Sequence, residues 1–332
     1  MTAINLPSRK TTSQKNKNVR PMIIRRDAKQ VISLLELVFK QHIRGNGHHA
    51  IATGFSLQDF LSGKKQTVPG FVYALNHRIV GNVSILESQK RGRYLVANVA
   101  VHPDYRRRGI AAEMMREVVS YINSRGGHQI VLQVERDNLS AVNLYKKLGF
   151  QDKGTLHDWR MNWYALKTVA TKTPVNSRKP DHFDEFKLRP LRKEDAKAAL
   201  KLDQFVFNKN LNWPDVPTGN YYKNDFGTLF RRFFLGTNLE IWVAESFNKQ
   251  IVGIGVIENE IGRPYHVKLR IAPEWRHLVE RPLMAKLTRR LGYMRAKTIT
   301  AQQDVNQTSV ENLFREAGFG LKRTLTVMQL DL

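Results

Sequence analysis

The feature that most constrains the fold of this chain is an internal repeat. Four segments of the first half have counterparts in the second half, in the same order. The pairs are RRDAKQVISLLELVF (25–39) with RKEDAKAALKLDQFVF (192–207), HRIVGNVSIL (77–86) with KQIVGIGVIE (249–258), VAVHPDYRR (99–107) with LRIAPEWRH (269–277), and NLYKKLGF (143–150) with NLFREAGF (312–319). The spacing stays between 168 and 172 residues. Ordered matches at nearly one spacing indicate two copies of one fold.

The repeat predicts the domain organisation of the 332-residue chain. Residues 1–20 are polar and basic, and we interpret them as a disordered tail. Residues 21–165 form the first copy, and residues 186–332 form the second. Residues 166–185 contain two prolines and mostly polar side chains, which is typical of a linker.

The local patterns predict an α+β fold with a mixed sheet. Apolar alternation in FVYALNHRIVGNVSIL and YLVANVAV indicates half-buried neighbouring strands. Residues 110–124 carry apolar side chains at helical spacing and end just before Gly126, a common stop signal. We therefore expect two tandem domains, each a mostly antiparallel, twisted sheet flanked by helices.

Composition excludes several classes of function. The chain has no cysteine, so disulfide frameworks, thiolate metal sites and cysteine nucleophiles are ruled out, and we expect no metal cofactor. No apolar run approaches the roughly 18–20 residues of a membrane span, and no signal-peptide core follows the first Met. The sequence thus predicts a cytoplasmic protein without a membrane partner.

The net charge of +25 suggests a polyanionic partner. The basic excess is spread over the tail and both copies, so it does not define a single nucleic-acid-binding arm. An aromatic and basic run from Tyr221 to Phe234 offers rings for nucleic-acid stacking, but it is more typical of an amphipathic helix packed on the domain. One hypothesis is therefore a basic tandem module that docks on RNA, a ribosome or DNA with little catalysis.

The segment NVAVHPDYRRRGIAAEMMREVV, residues 98–119, predicts an anion site. A strand ends at Val101, and a basic turn leads directly into a helix. Gly109 permits close approach of a ligand to the backbone, and the unpaired amides at a helix start attract anions. The arginines at 106–108 add charge suited to phosphates, and the geometry favours a pyrophosphate.

This segment resembles the GNAT superfamily of acyl-CoA-dependent N-acetyltransferases. The family's loop motif is matched by Arg106-Arg107-Arg108-Gly109-Ile110-Ala111. A second family motif is matched by Asn138-Leu139-Ser140-Ala141-Val142-Asn143-Leu144-Tyr145, followed by Gly149-Phe150. The resemblance is clear over 21–165 and looser over 186–332.

The resemblance implies acetyl-CoA as co-substrate and assigns roles to particular residues. It implies that the pyrophosphate is held around Arg106, Arg107, Arg108, Gly109, Ile110, Ala111 and Ala112. The strand edge at Val99, Ala100 and Val101 would pair with the pantetheine arm, and one of its amides would polarise the thioester carbonyl. Asn138 would contact the pantetheine. Tyr145 would act as general acid toward the departing thiolate, although a tyrosine packed in the core is the alternative.

The base that deprotonates the acceptor amine is less clearly indicated. The ribosomal-protein alanine acetyltransferases of this superfamily carry a Glu where this chain has Gln133, which cannot act as a base. Glu135 lies on the same strand face, and Glu87 ends an earlier strand; both are candidate bases. Asn98 and His102 are weaker candidates.

The second copy departs from the loop and acid motifs. Val279 stands at the position of Gly109, Glu280 and Arg281 follow it, and Phe314 stands at the position of Tyr145. A branched or charged residue obstructs phosphate approach, and Phe cannot donate a proton. The second copy is therefore predicted to be a degenerate GNAT-like domain. The chain as a whole is predicted to transfer acetyl from acetyl-CoA directly to a primary amine, on a protein N-terminus, a lysine or a small molecule.

Overall fold

The computed structural model describes residues 18–39, 70–88, 90–172, 185–211, 219–223, 225, 237–260 and 263–332. Most of the predicted tail, most of the predicted linker and the later part of the aromatic run lie outside these ranges. Over the ranges given, the helices lack the combined length and apolarity that a membrane crossing requires.

Strands and helices alternate along both halves of the chain. The strands are β1 Val19–Pro21, β2 Gly70–Leu75, β3 Arg78–Glu87, β4 Arg93–Val101, β5 Gln129–Glu135, β6 Gln151–Asn162, β7 Phe186–Pro190, β8 Thr237–Ser246, β9 Ile251–Glu260, β10 Tyr265–Ile271, β11 Thr298–Asp304 and β12 Gly320–Asp331. The helices are α1 Ile24–Val38, α2 Ile110–Ser124, α3 Leu139–Lys147, α4 Trp163–Lys172, α5 Ala196–Val206, α6 Arg276–Tyr293 and α7 Thr308–Glu316. The predicted mixed α and β architecture, with sheet strands flanked by helices, is confirmed.

The chain divides into two compact units. The first comprises Met1–Leu86 and Val96–Gly126, and the second comprises Glu87–Leu95 and Gly127–Leu332. This division follows spatial contacts, whereas the domains predicted from sequence follow the repeat. The segment 166–185, predicted as a linker, begins inside helix α4.

In the first unit, helices cover opposite faces of the strands β1-β2-β3-β4, which neighbour each other in that order. Val72, Ile79 and Ala100 pack against α1. Gly81 lies on the opposite face, where an added Cβ would come within 2.9 Å of the Met114 side chain of α2. The glycine therefore lets α2 approach the sheet closely.

In the second unit, the copies exchange their last strands. The strand order is β5-β12-β6-β11-β10-β9-β8-β7. β6 follows α3 in the first copy, yet it pairs with β11 of the second copy. β12 of the second copy pairs with β5 of the first, and β6 and β12 pair with each other. These contacts are antiparallel, whereas β10 and β11 are parallel.

The exchange places side chains of β6 in the core of the second copy. Trp159 and Met161 are fully buried there, among residues of α6 and α7. The Trp159 ring stacks on Phe314 with centroids 5.7 Å apart, and its Nε1 donates to Gln303 Oε1 at 2.9 Å. Phe314 is thus a core residue.

The repeat is also visible in an equivalent ion pair that each copy forms at the start of its first helix. Arg20 forms two hydrogen bonds to the Asp27 carboxylate, at 2.7 and 3.0 Å. Arg189 binds Asp195 in the same way, at 2.6 and 3.0 Å. Burial opposes ionisation of Asp27, yet hydrogen bonds from the two arginines beside it and from the Ile23 amide lower its pKa well below the usual value. The pair fixes the entry to the helix in both copies.

Candidate functional site

The connection between β4 and α2 is an exposed loop with unusual backbone angles. A single turn of 3-10 helix, Pro103–Tyr105, precedes it. Arg107 has φ +61° and Gly109 has φ +79°, both in the left-handed region. A Cβ added at Gly109 would meet only the Glu113 carboxylate, at 3.9 Å. The backbone angle therefore favours glycine, and the space beside it is open.

The loop ends at an uncapped helix N-terminus. Gly109 is the N-cap of α2 and provides no side-chain cap. The first helical bond runs from the Glu113 amide to the Gly109 carbonyl at 3.0 Å. The amides of 110–112 precede that bond, and together with the helix dipole they favour an anionic ligand. Phosphate binding at this helix start stays a prediction, and the uncapped N-terminus is compatible with it.

The three arginines of the loop are exposed, and two of them brace it. Arg106 Nε donates to the Val101 carbonyl at 3.2 Å, and Arg108 donates to the Asp104 carbonyl at 2.9 Å. These contacts join the loop to the end of β4 and to the 3-10 turn. Positive charge is therefore held beside the open amides, where phosphates would be neutralised.

In the second unit, the β5–α3 connection carries the other predicted residues. Asn138 is the N-cap of α3, and its Oδ1 accepts from the Ala141 amide at 3.1 Å. Tyr145 lies in α3 and is only 6% exposed, with its ring 5.8 Å from that of Phe150. Burial raises the pKa of Tyr145 well above its ordinary value. Its phenol therefore stays protonated at neutral pH.

Comparison with known proteins identifies the family. The profile of the acetyltransferase (GNAT) family matches residues 31–150. N-alpha-acetyltransferase 30 of Schizosaccharomyces pombe is 33% identical over 95 residues, which are 28% of this chain and 63% of that protein. The [ribosomal protein bS18]-alanine N-acetyltransferase of Escherichia coli K12 is 34% identical over 55 residues, 17% of this chain and 37% of that protein. Residues 31–150 therefore match a GNAT-family domain. This chain spans less than two thirds of either relative's length.

A solved structure extends the fold comparison along the chain. A tandem GNAT protein from the clavulanic acid biosynthesis pathway aligns with a TM-score of 0.60 and 13% identity. The alignment covers 94% of this chain and 98% of that one. The tandem GNAT fold predicted from the repeat is confirmed.

The predicted site residues fall into two groups within the GNAT fold. Residues 99–101 and 106–112 lie together in the first unit, at the end of β4 and in the following loop. Glu135, Asn138 and Tyr145 lie together in the second unit, where the Asn138 amide donates to the Glu135 carbonyl at 3.0 Å.

The candidate bases have different surroundings. Glu135 ends β5 and forms an ion pair of 3.7 Å with Arg323 of β12, which also donates to Asp158 at 2.8 Å. The exchanged strand of the second copy therefore contacts a candidate residue of the first. Glu87 ends β3 and is exposed. Both remain candidates.

The weaker candidates and Gln133 have structural surroundings of their own. His102 caps the 3-10 turn through Nδ1, which accepts from the Asp104 amide at 3.4 Å, and its Nε2 lies 3.1 Å from an Arg78 nitrogen. Gln133 Nε2 is buried without a hydrogen-bond partner among the described residues. An amide side chain cannot act as a base, so Gln133 is not a candidate for that role.

Sequence reasoning missed two polar residues of the first copy. Asn82 and Ser84 are buried in β3 and contact Asn98 of β4. Their counterparts in the second copy are Ile254 and Val256. The strand is otherwise apolar, so this difference between the two repeats could have drawn attention to both residues.

The second copy does not form the phosphate loop. Its 3-10 turn, Pro273–Trp275, is followed at once by α6, which begins at Arg276. The residues matching the loop are therefore helical. Val279, at the position of Gly109, is fully buried, and Glu280 is 5% exposed. The sequence predicted unsuitable side chains here, and the structure adds that the loop itself is absorbed into the helix.

Proposed function

We propose that this protein is an acetyl-CoA-dependent N-acetyltransferase that acetylates a primary amine by direct transfer in a ternary complex. The observation that carries the proposal is the open loop at Gly109 with the uncapped start of α2. Residues 106–112 would bind the pyrophosphate, and Val99, Ala100 and Val101 would hold the pantetheine and the thioester through main-chain groups.

The reaction requires two proton movements. The amine nitrogen attacks the thioester carbonyl, the carbon–sulfur bond breaks, and the sulfur leaves as a thiolate. The amine loses a proton to a base, for which Glu135 or Glu87 is proposed, directly or through water. The thiolate is stabilised by Tyr145, and Asn138 would contact the pantetheine.

The burial of Tyr145 limits what its hydroxyl can do in the proposed reaction. A phenol whose pKa is raised by burial is a weaker acid than a thiol, so complete proton transfer is uphill. A hydrogen bond donated by the phenol still stabilises charge that develops on sulfur. We therefore assign Tyr145 chiefly as a hydrogen-bond donor to the departing thiolate.

The acceptor is proposed to be the α-amino group of a polypeptide. The names of two relatives specify an N-alpha-acetyltransferase and an alanine N-acetyltransferase of a ribosomal protein. Lysine side chains and small amines are the other acceptors to test. An amine bound to a ribosome would also be compatible with the net charge of +25.

The division of labour follows the repeat. We propose residues 21–165 as the catalytic copy and 186–332 as a degenerate copy, with 1–20 as a tail and 166–185 as a linker. The helical start of α6 in place of a loop supports the absence of a second cofactor site.

Calorimetric titration with acetyl-CoA tests the proposal. Gly109→Glu places a carboxylate and a strained backbone in the cradle, and we expect it to abolish binding. Gly126→Glu is the matched control, because Gly126 also has positive φ and open surroundings but lies beyond the other end of α2. Equal binding by both variants, or no binding by the wild type, would contradict the cofactor assignment.

A mass-spectrometric screen identifies the acceptor. Peptides with free N-termini, peptides with a blocked N-terminus and an internal lysine, and small amines are incubated with protein and acetyl-CoA. We expect acetylation of the free N-termini. Exclusive labelling of lysine or of small amines would refute the α-amino assignment without affecting the cofactor assignment.

A further inference from the structure

Three polar side chains form a small cluster in the first unit, which we call the Asn triad: Asn82 and Ser84 of β3, and Asn98 of β4. Asn82 is 0% exposed and Ser84 is 1% exposed. Asn82 pairs in register with Val72, which packs against α1, so the triad belongs to the face of the sheet that carries this helix. Polar groups are costly in such a place unless they are bonded to each other or serve a purpose.

The bonds of the triad converge on Asn98. Asn82 Nδ2 donates to the main-chain carbonyl of Asn98 at 3.0 Å. Asn98 Nδ2 donates to Ser84 Oγ at 3.2 Å. Because a carbonyl only accepts, the amide nitrogen of Asn82 must face Asn98, which fixes the orientation of the Asn82 side chain. Its Oδ1 is then buried with no partner in the described part of the chain.

Asn98 has a backbone angle that strands avoid. Its φ is +52°, in the left-handed region, although it lies within β4. Asparagine tolerates this conformation better than most residues, but the conformation persists only where the surroundings impose it. The next residues along β4 are Val99, Ala100 and Val101, whose main-chain groups are proposed to hold the thioester. A left-handed residue in a strand redirects the peptide groups beside it.

The second copy provides an internal control. It carries Ile254 and Val256 in place of Asn82 and Ser84, and Lys268 in place of Asn98. None of the residues of β10 has a positive φ. The same fold therefore forms without the triad, in the copy that has also lost the phosphate loop. The triad accompanies the ligand site and is not required by the sheet.

We propose that Asn82 and Ser84 are positioning residues that hold Asn98 in its left-handed conformation and so aim the amides of 99–101 at the acetyl thioester. This inference rests on the proposed acetyltransferase function. The two side chains act through the backbone of β4 and do not touch the reacting atoms. The Oδ1 of Asn82, which is buried without a partner among the residues described, is the cost of the arrangement.

The double variant Asn82→Ile/Ser84→Val tests the inference, because it introduces the pair that the second copy already uses. We expect acetyl-CoA affinity, measured by calorimetry, to fall far less than kcat, because the phosphate loop is intact. We expect kcat to fall about 100-fold, as is typical when reacting groups are misplaced by an ångström. Ile85→Val is the matched control, since Ile85 is buried in the same strand outside the triad, and its kcat should stay at the wild-type value.

A further substitution distinguishes a positioning role of the two side chains from a packing role. Asn98→Gly adopts positive φ without side-chain support, so adding it to the double variant should restore a large part of kcat. If the double variant fails to fold, Ser84→Ala, with and without Asn98→Gly, provides the same comparison at smaller amplitude. A wild-type kcat in the double variant, or a loss that Asn98→Gly does not relieve, would overturn the inference and leave the acetyltransferase proposal intact. A wild-type protein that neither binds acetyl-CoA nor transfers acetyl would overturn both.

Discussion

At the scale of residues, one position shows how the two copies differ. Tyr145 and Phe314 occupy matching places in α3 and α7, and both are buried. Phe314 stacks on Trp159 within the core. The phenol oxygen is the added group in the first copy, and burial holds its pKa well above the usual value. A buried phenol in one repeat and a phenyl in the other is consistent with chemistry in the first copy alone.

The substitution Tyr145→Phe removes that oxygen and keeps the ring. We expect kcat to fall about 100-fold, as is typical when one hydrogen-bond donor to developing charge is removed, with little change in acetyl-CoA affinity. Steady-state kinetics and calorimetry measure the two quantities separately. Phe314→Tyr is the control in the second copy and should not raise turnover. A Tyr145→Phe variant that loses affinity more than turnover would argue against the donor role.

At the scale of elements, β10 illustrates what the second copy has gained. The side chains of three of its residues lie on one face and form hydrogen bonds or ion pairs: His266, Lys268 and Arg270. Lys268 forms an ion pair with Glu258 at 2.8 Å, and both bond the hydroxyl of Tyr221. Arg270 forms a buried ion pair with Asp203 at 2.6 Å. Where the first copy has the Asn triad, the second has an ionic network.

His266 couples this network to pH. Thr300 donates its hydroxyl to the Tyr265 carbonyl, so the 3.1 Å contact between His266 Nδ1 and Thr300 Oγ1 requires a protonated Nδ1. Burial lowers the pKa of His266 from 6.5 to about 4; Lys268 and Arg270 add to this effect, and Glu258 opposes it. The imidazole is therefore neutral in the folded protein.

The consequence is a loss of stability in mild acid. Between pH 6.5 and about 4 the unfolded chain binds a proton that the folded chain refuses, so the free energy of unfolding should fall as pH falls through this window. His266→Gln should flatten that dependence in urea titrations at successive pH values. His277→Gln, at an exposed histidine, should retain the wild-type slope. An unchanged slope in His266→Gln would contradict the assignment.

The sequence predicted the repeating elements but not their pairing. Periodicity identified the helix that begins at residue 110, and the motifs pointed to the loop at Gly109, whereas the segment predicted as a linker begins inside α4. The exchange of β6 and β12 could not be predicted, because equivalent strands carry similar patterns and suit either partner. The left-handed Asn98 was missed for a related reason: its strain is imposed by β3, and no local motif marks it.

At the scale of the whole molecule, the exchanged strands make the two copies interdependent. β12 supplies the antiparallel neighbour of β5, from Leu325 opposite Glu135 to Asp331 opposite Gln129. The strand before the β5–α3 connection is therefore completed by the last residues of the chain. A fragment that ends near residue 165 lacks this neighbour and exposes an unpaired edge.

Deleting residues 320–332 should consequently remove acetyl-CoA binding together with stability, although the phosphate loop lies far away in sequence. We expect aggregation, or dimers in which the fragments pair through β6, in size-exclusion chromatography with light scattering. Deletion of residues 1–17 is the control and should leave a protein of the expected mass that binds acetyl-CoA. A monomeric, binding-competent protein lacking 320–332 would show that β5 does not depend on β12.

The exchanged strands also bear on how such a chain can evolve. Duplicated genes ordinarily free one copy to decay or to separate. Here the final strand of the second copy, 12 residues long, pairs with strands of the first, so loss of the second copy would also remove a neighbour of β5. Substitutions at 279–281 leave that strand in place, whereas gene fission or a late frameshift would remove it. We therefore expect the two halves to be inherited together, even where their sequences at the loop have diverged.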